Sequence, residues 1–167
     1  SIQSVTKVSM IDEKKKIGYI QLATFESKTT IKEMTDALED LEKKGVQALI
    51  LDVRNNGGGL LQNAIEIASM FVENATIVST VDRYQTAEVF ETVWMRQKFH
   101  KKPLVVLING ASASASEILA GAIADNRRGT LIGTKTFGKA SVQVVRQLDD
   151  GSALLVTVAK YYTPNGT

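Results

Sequence analysis

Residues 46–59 read V-Q-A-L-I-L-D-V-R-N-N-G-G-G, an apolar run that stops at a glycine loop. Its Leu, Ile and Val residues show little alternation, the pattern of a strand buried on both faces. Arg54 to Gly59 is rich in turn formers. Leu61, Ala64, Ile65, Ala68, Phe71 and Val72 then recur at helical spacing. Strand, loop and helix in that order predict a βα unit. If the unit repeats, the chain is α/β with a largely parallel sheet.

The unit does repeat. Upstream, Ile17–Leu22 is rich in strand formers. Thr30 is expected to cap a helix, with Glu33 completing a capping box. Ile31, Met34, Leu38 and Leu41 share one helical face, and Gly45 ends it. Downstream, residues 76–81 predict a strand. Residues 82–102 are polar and weakly periodic, with helix expected near 89–99. Leu104–Ile108 predicts a buried strand, Ile118, Leu119, Ala122 and Ile123 a helix, and Thr130–Gly133 a short strand. Residues 142–148 and 153–158 flank Asp149-Asp150-Gly151-Ser152, a hairpin signal. The expectation is one domain over residues 1–167, α/β, with a mixed sheet and a C-terminal β-hairpin.

Composition excludes several chemistries. The chain has 167 residues, 44% hydrophobic and 23% charged, with a formal net charge of +2. That balance gives no footprint for nucleic acid or an anionic membrane. Cysteine is absent, which removes disulfides and thiolate chemistry. A single histidine, His100, rules out a histidine metal cluster. It lies among basic residues in R-Q-K-F-H-K-K-P and reads as a solvated loop residue. No metal or cofactor is expected.

Residues 109–117, N-G-A-S-A-S-A-S-E, lie between a predicted strand and a predicted helix. The first N–H groups of a helix have no internal partner and carry the positive end of its dipole. A serine there can attack a carbonyl whose developing oxyanion those groups hold. The same serines can equally be helix caps. Ser112, Ser114 and Ser116 are all open on this ground.

Lys139 follows in T-F-G-K-A-S-V-Q. A lysine acting as a base must be neutral, and an apolar site favours that form. Phe137, Ala140 and Val142 are the expected apolar neighbours. Gln143 can orient the lysine without adding charge. The Gly57-Gly58-Gly59 loop lacks the lysine of a phosphate-binding loop. One of its N–H groups can serve as a second oxyanion donor.

These motifs together resemble the catalytic core of the carboxy-terminal processing peptidases, or tail-specific proteases. The resemblance rests on I-G-Y-I, L-I-L-D-V-R-N-N-G-G-G, S-A-S-A-S-E-I-L-A-G-A, G-T-K-T-F-G-K-A-S-V-Q and A-K-Y-Y-T-P-N-G. It implies a crotonase/Clp-peptidase-like core and a serine endopeptidase acting through an acyl-enzyme. By position, Ser114 resembles the nucleophile, Lys139 the general base and Gln143 the residue that positions the lysine. The N–H of Ala115 and that of Gly58 or Gly59 resemble the oxyanion hole. Ser112 and Ser116 are left to cap and support.

The resemblance also implies peptide or protein substrates, an extracytoplasmic location, a homodimer as an available assembly, and a tail-binding PDZ domain in the full-length protein. No PDZ pattern occurs in these residues. Retinoid-binding relatives of the same core supply the alternative of a non-catalytic binding module, and the wider superfamily a thioester enzyme. Two positions depart from the family pattern. Gly57 stands where proline is usual, which is expected to loosen the loop. Ala140 stands where glycine is usual, which is expected to strain the chain if φ there is positive.

Overall fold

The computed structural model describes residues 2–96 and 98–167; the side chains of 142–145 and 155–156 lie outside the description. Its elements are β1 (Val5–Asp12), β2 (Ile17–Leu22), α1 (Thr30–Lys43), β3 (Ala48–Asp52), α2 (Leu61–Ser69), β4 (Thr76–Asp82), β5 (Ala87–Glu91), a 3-10 turn (Trp94–Arg96), β6 (Leu104–Ile108), α3 (Ala115–Asp125), β7 (Thr130–Gly133), β8 (Ser141–Gln147) and β9 (Ala153–Tyr162).

They form two sheets. The first is mixed and ordered β1-β2-β3-β6-β7, with β1 antiparallel to β2 and the other pairs parallel. The second is antiparallel and ordered β5-β4-β9-β8. Gly18, Ile20, Leu22, Leu49, Leu51, Leu104 and Val106 are buried, while alternate residues such as Tyr19, Ile50 and Val105 are half-buried. The expectation of strands covered on both faces is therefore corrected. One face meets the helices, and the chain described here leaves the other partly open.

The apolar stripe of α1 behaves as predicted, with Met34, Leu38 and Leu41 buried and Gly45 leaving the helix at φ +80°. Glu33 does not. Its Oε1 accepts the N–H groups of Ser4 (3.0 Å) and Val5 (3.2 Å), and its Oε2 accepts the Thr29 hydroxyl. It thus anchors the start of β1, while the Thr30 hydroxyl donates to Ser27 O. α2 and α3 pack on each other and both touch β4, so one core cluster runs from the first sheet through the helices to the second.

Helix is expected near 89–99, but among the described residues there is no α-helix; the stretch holds the end of β5 and the 3-10 turn. Asp82 Oδ1 accepts the N–H groups of Tyr84 and Thr86 (both 2.9 Å), turning the chain back so that β5 pairs with β4. The hairpin after β8 is as expected, with Gly151 at φ +86° between Leu148 and Ser152. Ala140 does not have positive φ, so its departure from the family pattern costs no strain.

Candidate active site

Ser112, Ser114 and Ser116 alternate in sequence and separate in space. The outer two are fully buried and bonded. Ser112 Oγ donates to Val53 O (2.8 Å) and accepts the Asn109 N–H (3.0 Å). Ser116 Oγ donates to Asn56 O (2.8 Å). Both therefore fasten the start of α3 to the end of β3 and its glycine loop. Ser114 is half-buried.

Ser114 immediately precedes α3 with φ 56° and ψ −114°. A residue with a Cβ seldom adopts such a backbone, and strain of this kind costs about 1–3 kcal/mol. The surroundings hold it there. Its N–H donates to Glu117 Oε1 (3.0 Å), one turn into the helix. Its carbonyl accepts the N–H groups of Glu117 (2.9 Å) and Ile118 (3.0 Å), as well as the Tyr161 hydroxyl (3.4 Å).

The lysine loop is fastened to the same carboxylate. Glu117 Oε1 also accepts the Lys139 N–H (3.0 Å). Glu117 Oε2 accepts the Gly138 N–H (2.8 Å) and the Thr136 hydroxyl (2.9 Å). One oxygen thus receives the backbone of both Ser114 and Lys139, so their nitrogens are no further apart than two hydrogen bonds end to end. Phe137 N–H donates to Ser112 O (3.0 Å), and Tyr161 N–H to Ala140 O (3.0 Å). Burial first, and then the Glu117 charge and its hydrogen bond, push the Tyr161 phenol well above its usual value, keeping it a neutral donor.

Lys139 is half-buried, whereas Phe137 is 68% exposed and Ala140 is exposed. The expected apolar shell from those two residues is not formed in this chain. Val142 and Gln143 lie on β8, with Gln143 opposite Thr157, but their side chains fall outside the described residues.

The glycine loop packs directly on the serine. A Cβ on Gly58 would stand 2.7 Å from Ser114 Cβ and 2.9 Å from Ala115 N, so only glycine fits. Gly58 N–H donates to Asn56 Oδ1 (2.9 Å) and is thereby engaged. Buried Asn56 completes its amide by donating Nδ2–H to Leu22 O (2.9 Å). Among the described residues, the N–H groups of Gly59 and of Ala115, the first residue of α3, have no acceptor. Asn55 and Asn109 clip the two loops together through Asn55 N–H to Asn109 Oδ1 and Asn109 Nδ2–H to Asn55 Oδ1 (both 3.0 Å).

His100 lies elsewhere. It is close to Asn126, Arg127 and Arg128, past the far end of α3 from Ser114. Eleven helical residues put about 16 Å between those ends. His100 is less solvated than expected, with Nδ1 2.8 Å from Glu73 Oε1 and a 23% exposed side chain. Among the described residues, no group of histidine and acidic side chains forms a metal cluster.

Sequence reasoning missed Glu117, Asn56 and Tyr161. Glu117 had a signal, because a serine followed three residues later by glutamate is a capping-box pattern. Tyr161 had none, since its partners are remote in sequence, and the local turn of Asn56 with Gly58 gives no sign of its bonds to Leu22 and Ser116.

The frame is thus a mixed α/β fold with few helices, presenting a strained serine turn to a glycine loop and a lysine loop. The chain belongs to peptidase family S41, whose pattern matches residues 16–167. It is 51% identical over 148 residues to a carboxyl-terminal-processing protease of Synechocystis, covering 89% of this chain and 34% of that protein. It is 43% identical over 152 residues to a carboxy-terminal processing protease of Bacillus subtilis, covering 90% of this chain and 32% of that protein.

 Among solved structures, a photosystem II D1 C-terminal processing protease superposes with a TM-score of 0.82 at 42% identity, over 90% of this chain and 39% of that one. An S41 protease structure from Bacteroides fragilis shares the fold at 21% identity and a TM-score of 0.86, over 99% of this chain and 47% of that one. The chain spans about a third of the length of the curated relatives it matches.

Proposed function

We propose that this chain carries the reacting groups of a serine endopeptidase that processes polypeptides near their carboxyl terminus. The observation that carries the reading is the shared Glu117 oxygen, which receives the backbone N–H of both Ser114 and Lys139. A strained serine beside a lysine loop, both tied to one carboxylate, suits a nucleophile and base that act together. The names of the relatives supply the substrate class, and the family resemblance of the sequence supplies the extracytoplasmic setting of the reading.

Neutral Lys139 takes the Ser114 hydroxyl proton as Oγ attacks the scissile carbonyl. Gln143 orients the lysine. The oxyanion is held by the N–H groups of Ala115 and Gly59, which have no competing acceptor among the described residues. Such donors matter because they are in place before charge develops. Lys139 then gives its proton to the leaving amine, and water hydrolyses the acyl-enzyme to regenerate Ser114.

Ser114→Ala and Lys139→Ala in the full-length protein should each abolish cleavage of an unstructured polypeptide, and Ser114 should take a fluorophosphonate label. Full activity in either variant would falsify the dyad. Absence of both labelling and cleavage in the unmodified protein would favour a binding module.

A further inference from the structure

The segment that carries Ser114 begins with an Asn-Gly pair, Asn109-Gly110, just after β6. The Asn109 amide is held ready for attack. Its Oδ1 accepts the N–H groups of Asn55 (3.0 Å) and Ala111 (3.1 Å), and donors placed on a carbonyl oxygen stabilise the oxyanion formed when its carbon is attacked. The next nitrogen in the chain, that of Gly110, is unguarded. The residue is exposed, has no side chain, and among the described residues its N–H has no acceptor. We propose that Asn109 is a modification site, converted by attack of Gly110 N to aspartate and isoaspartate, and that the conversion switches off the site built on Ser114. The conversion stands on the geometry alone; its consequence rests on the peptidase reading above.

Solvent hydroxide takes the Gly110 N–H proton, and the nitrogen forms a bond to Asn109 Cγ. The Cγ–Nδ2 bond breaks, and Nδ2 leaves as ammonia with a proton from water, closing a succinimide ring. Water then opens the ring at either carbonyl. Opening at Cγ gives aspartate. Opening at the main-chain carbonyl leaves Gly110 N bonded to Cγ, which is isoaspartate. One water is consumed, one ammonia is released, and nothing is oxidised or reduced.

The chain's other Asn-Gly pairs, Asn56-Gly57 and Asn165-Gly166, lack one of these conditions each. Asn56 has the same turn, with Oδ1 on the Gly58 N–H, but it is 0% exposed, so neither hydroxide nor water reaches it. Asn165 is exposed, but the Gly166 N–H donates to Thr163 O (2.8 Å) and is engaged. The consequence at Asn109 follows from its clip to the glycine loop. Its Nδ2–H donates to Asn55 Oδ1 (3.0 Å), a bond that aspartate cannot make. A carboxylate only accepts, so it would face the Asn55 oxygen with no proton between them. Isoaspartate goes further and adds a carbon to the main chain between β6 and Ser114. Asn55 leads into the loop whose Gly58 packs on Ser114, so both products loosen the serine against that loop.

The test incubates the full-length protein at mildly alkaline pH in heavy-oxygen water, and follows peptide mass spectra beside cleavage of an unstructured polypeptide. Asn109 should gain the mass of an amide-to-acid change carrying heavy oxygen, and Asn56 should not. Activity should fall in step with the fraction converted at Asn109. Gly110→Ala is the decisive variant. The φ of Gly110 is not positive, and an added Cβ would meet only Lys135 O at 3.8 Å, so alanine fits while its methyl shields the nitrogen. This variant should keep the parent's activity and convert at least several-fold more slowly. Asn109→Asp, installed directly, should lower kcat/KM about 2- to 10-fold, the worth of one hydrogen bond. An Asn109 left intact by the incubation overturns the proposal, and so does equal conversion in Gly110→Ala. Full activity in the converted parent or in Asn109→Asp overturns the switch. If Gly110→Ala fails to fold, the parent's mass and activity curves and Asn109→Asp decide. A fresh parent that neither takes a fluorophosphonate label nor cleaves fails the peptidase reading, while conversion at Asn109 is still scored by mass.

Discussion

Glu117 joins more of the site than any residue that reacts. Four donors converge on its carboxylate: the N–H groups of Ser114, Gly138 and Lys139 and the Thr136 hydroxyl. Its position in the first turn of α3 also suits its charge, because the helix dipole favours an anion there. Glu117→Gln keeps the shape but turns an NH₂ group towards donors. Hydrogen bonds to charged groups are worth about 1.5–3 kcal/mol each. Losing one such bond from the reacting geometry predicts a fall in kcat of about 10- to 100-fold. Steady-state kinetics should show that fall with KM nearly unchanged. An unaltered kcat would mean that the carboxylate does not hold the reacting geometry. The sequence displayed Ser114, Lys139 and the S-x-x-E spacing. It could not display the φ of Ser114, because that backbone is held by Tyr161 and Gly58, which arrive from a distant strand and a distant loop.

Among the elements, the glycine loop shows how a local rule and a tertiary one divide the work. Gly58 and Gly59 have φ of 101° and 146°, and both are crowded by backbone. Gly57 has neither constraint: its φ is not positive, and a Cβ there would meet nothing within 4 Å. Gly57→Pro should therefore be accommodated and stabilise the protein by about 0.4–1 kcal/mol by restricting the unfolded chain. A urea unfolding midpoint at or below that of the parent would show that the loop cannot adopt proline's φ. Elements with strong patterns were legible on the same footing. The stripe of α1 and the apolar run of β6 announce themselves. β1 escaped because register shifts near Val5 and Met10 interrupt its alternation. β5 was read as helix because its pairing depends on the Asp82 turn and on β4, neither of which appears in its own periodicity.

Across the whole molecule, the proposed chemistry sits where the two sheets meet. Ser114 follows the first sheet's β6, and Lys139 lies on the link from β7 to β8 of the second. The first sheet must therefore stay intact for the site to exist, and its most buried charge is Asp52, with a side chain only 1% exposed. Burial pushes the Asp52 carboxyl up, but hydrogen bonds from Arg54 and Tyr19 outweigh it and hold the group below the usual carboxylate range. A depressed carboxyl in the fold means that the unfolded chain binds the proton more tightly. The stability contributed by Asp52 is thus complete above the unfolded value of about 3.9 and is lost as pH falls through the folded value. Asp52→Asn should be less stable than the parent at neutral pH, since it leaves Arg54 without its carboxylate. In acid the gap should narrow, because the parent loses the ionised group too. Urea midpoints measured from about pH 7 down through about pH 3 should converge for the two proteins. Parallel curves across that range would show that the Asp52 ion pair contributes no pH-dependent stability.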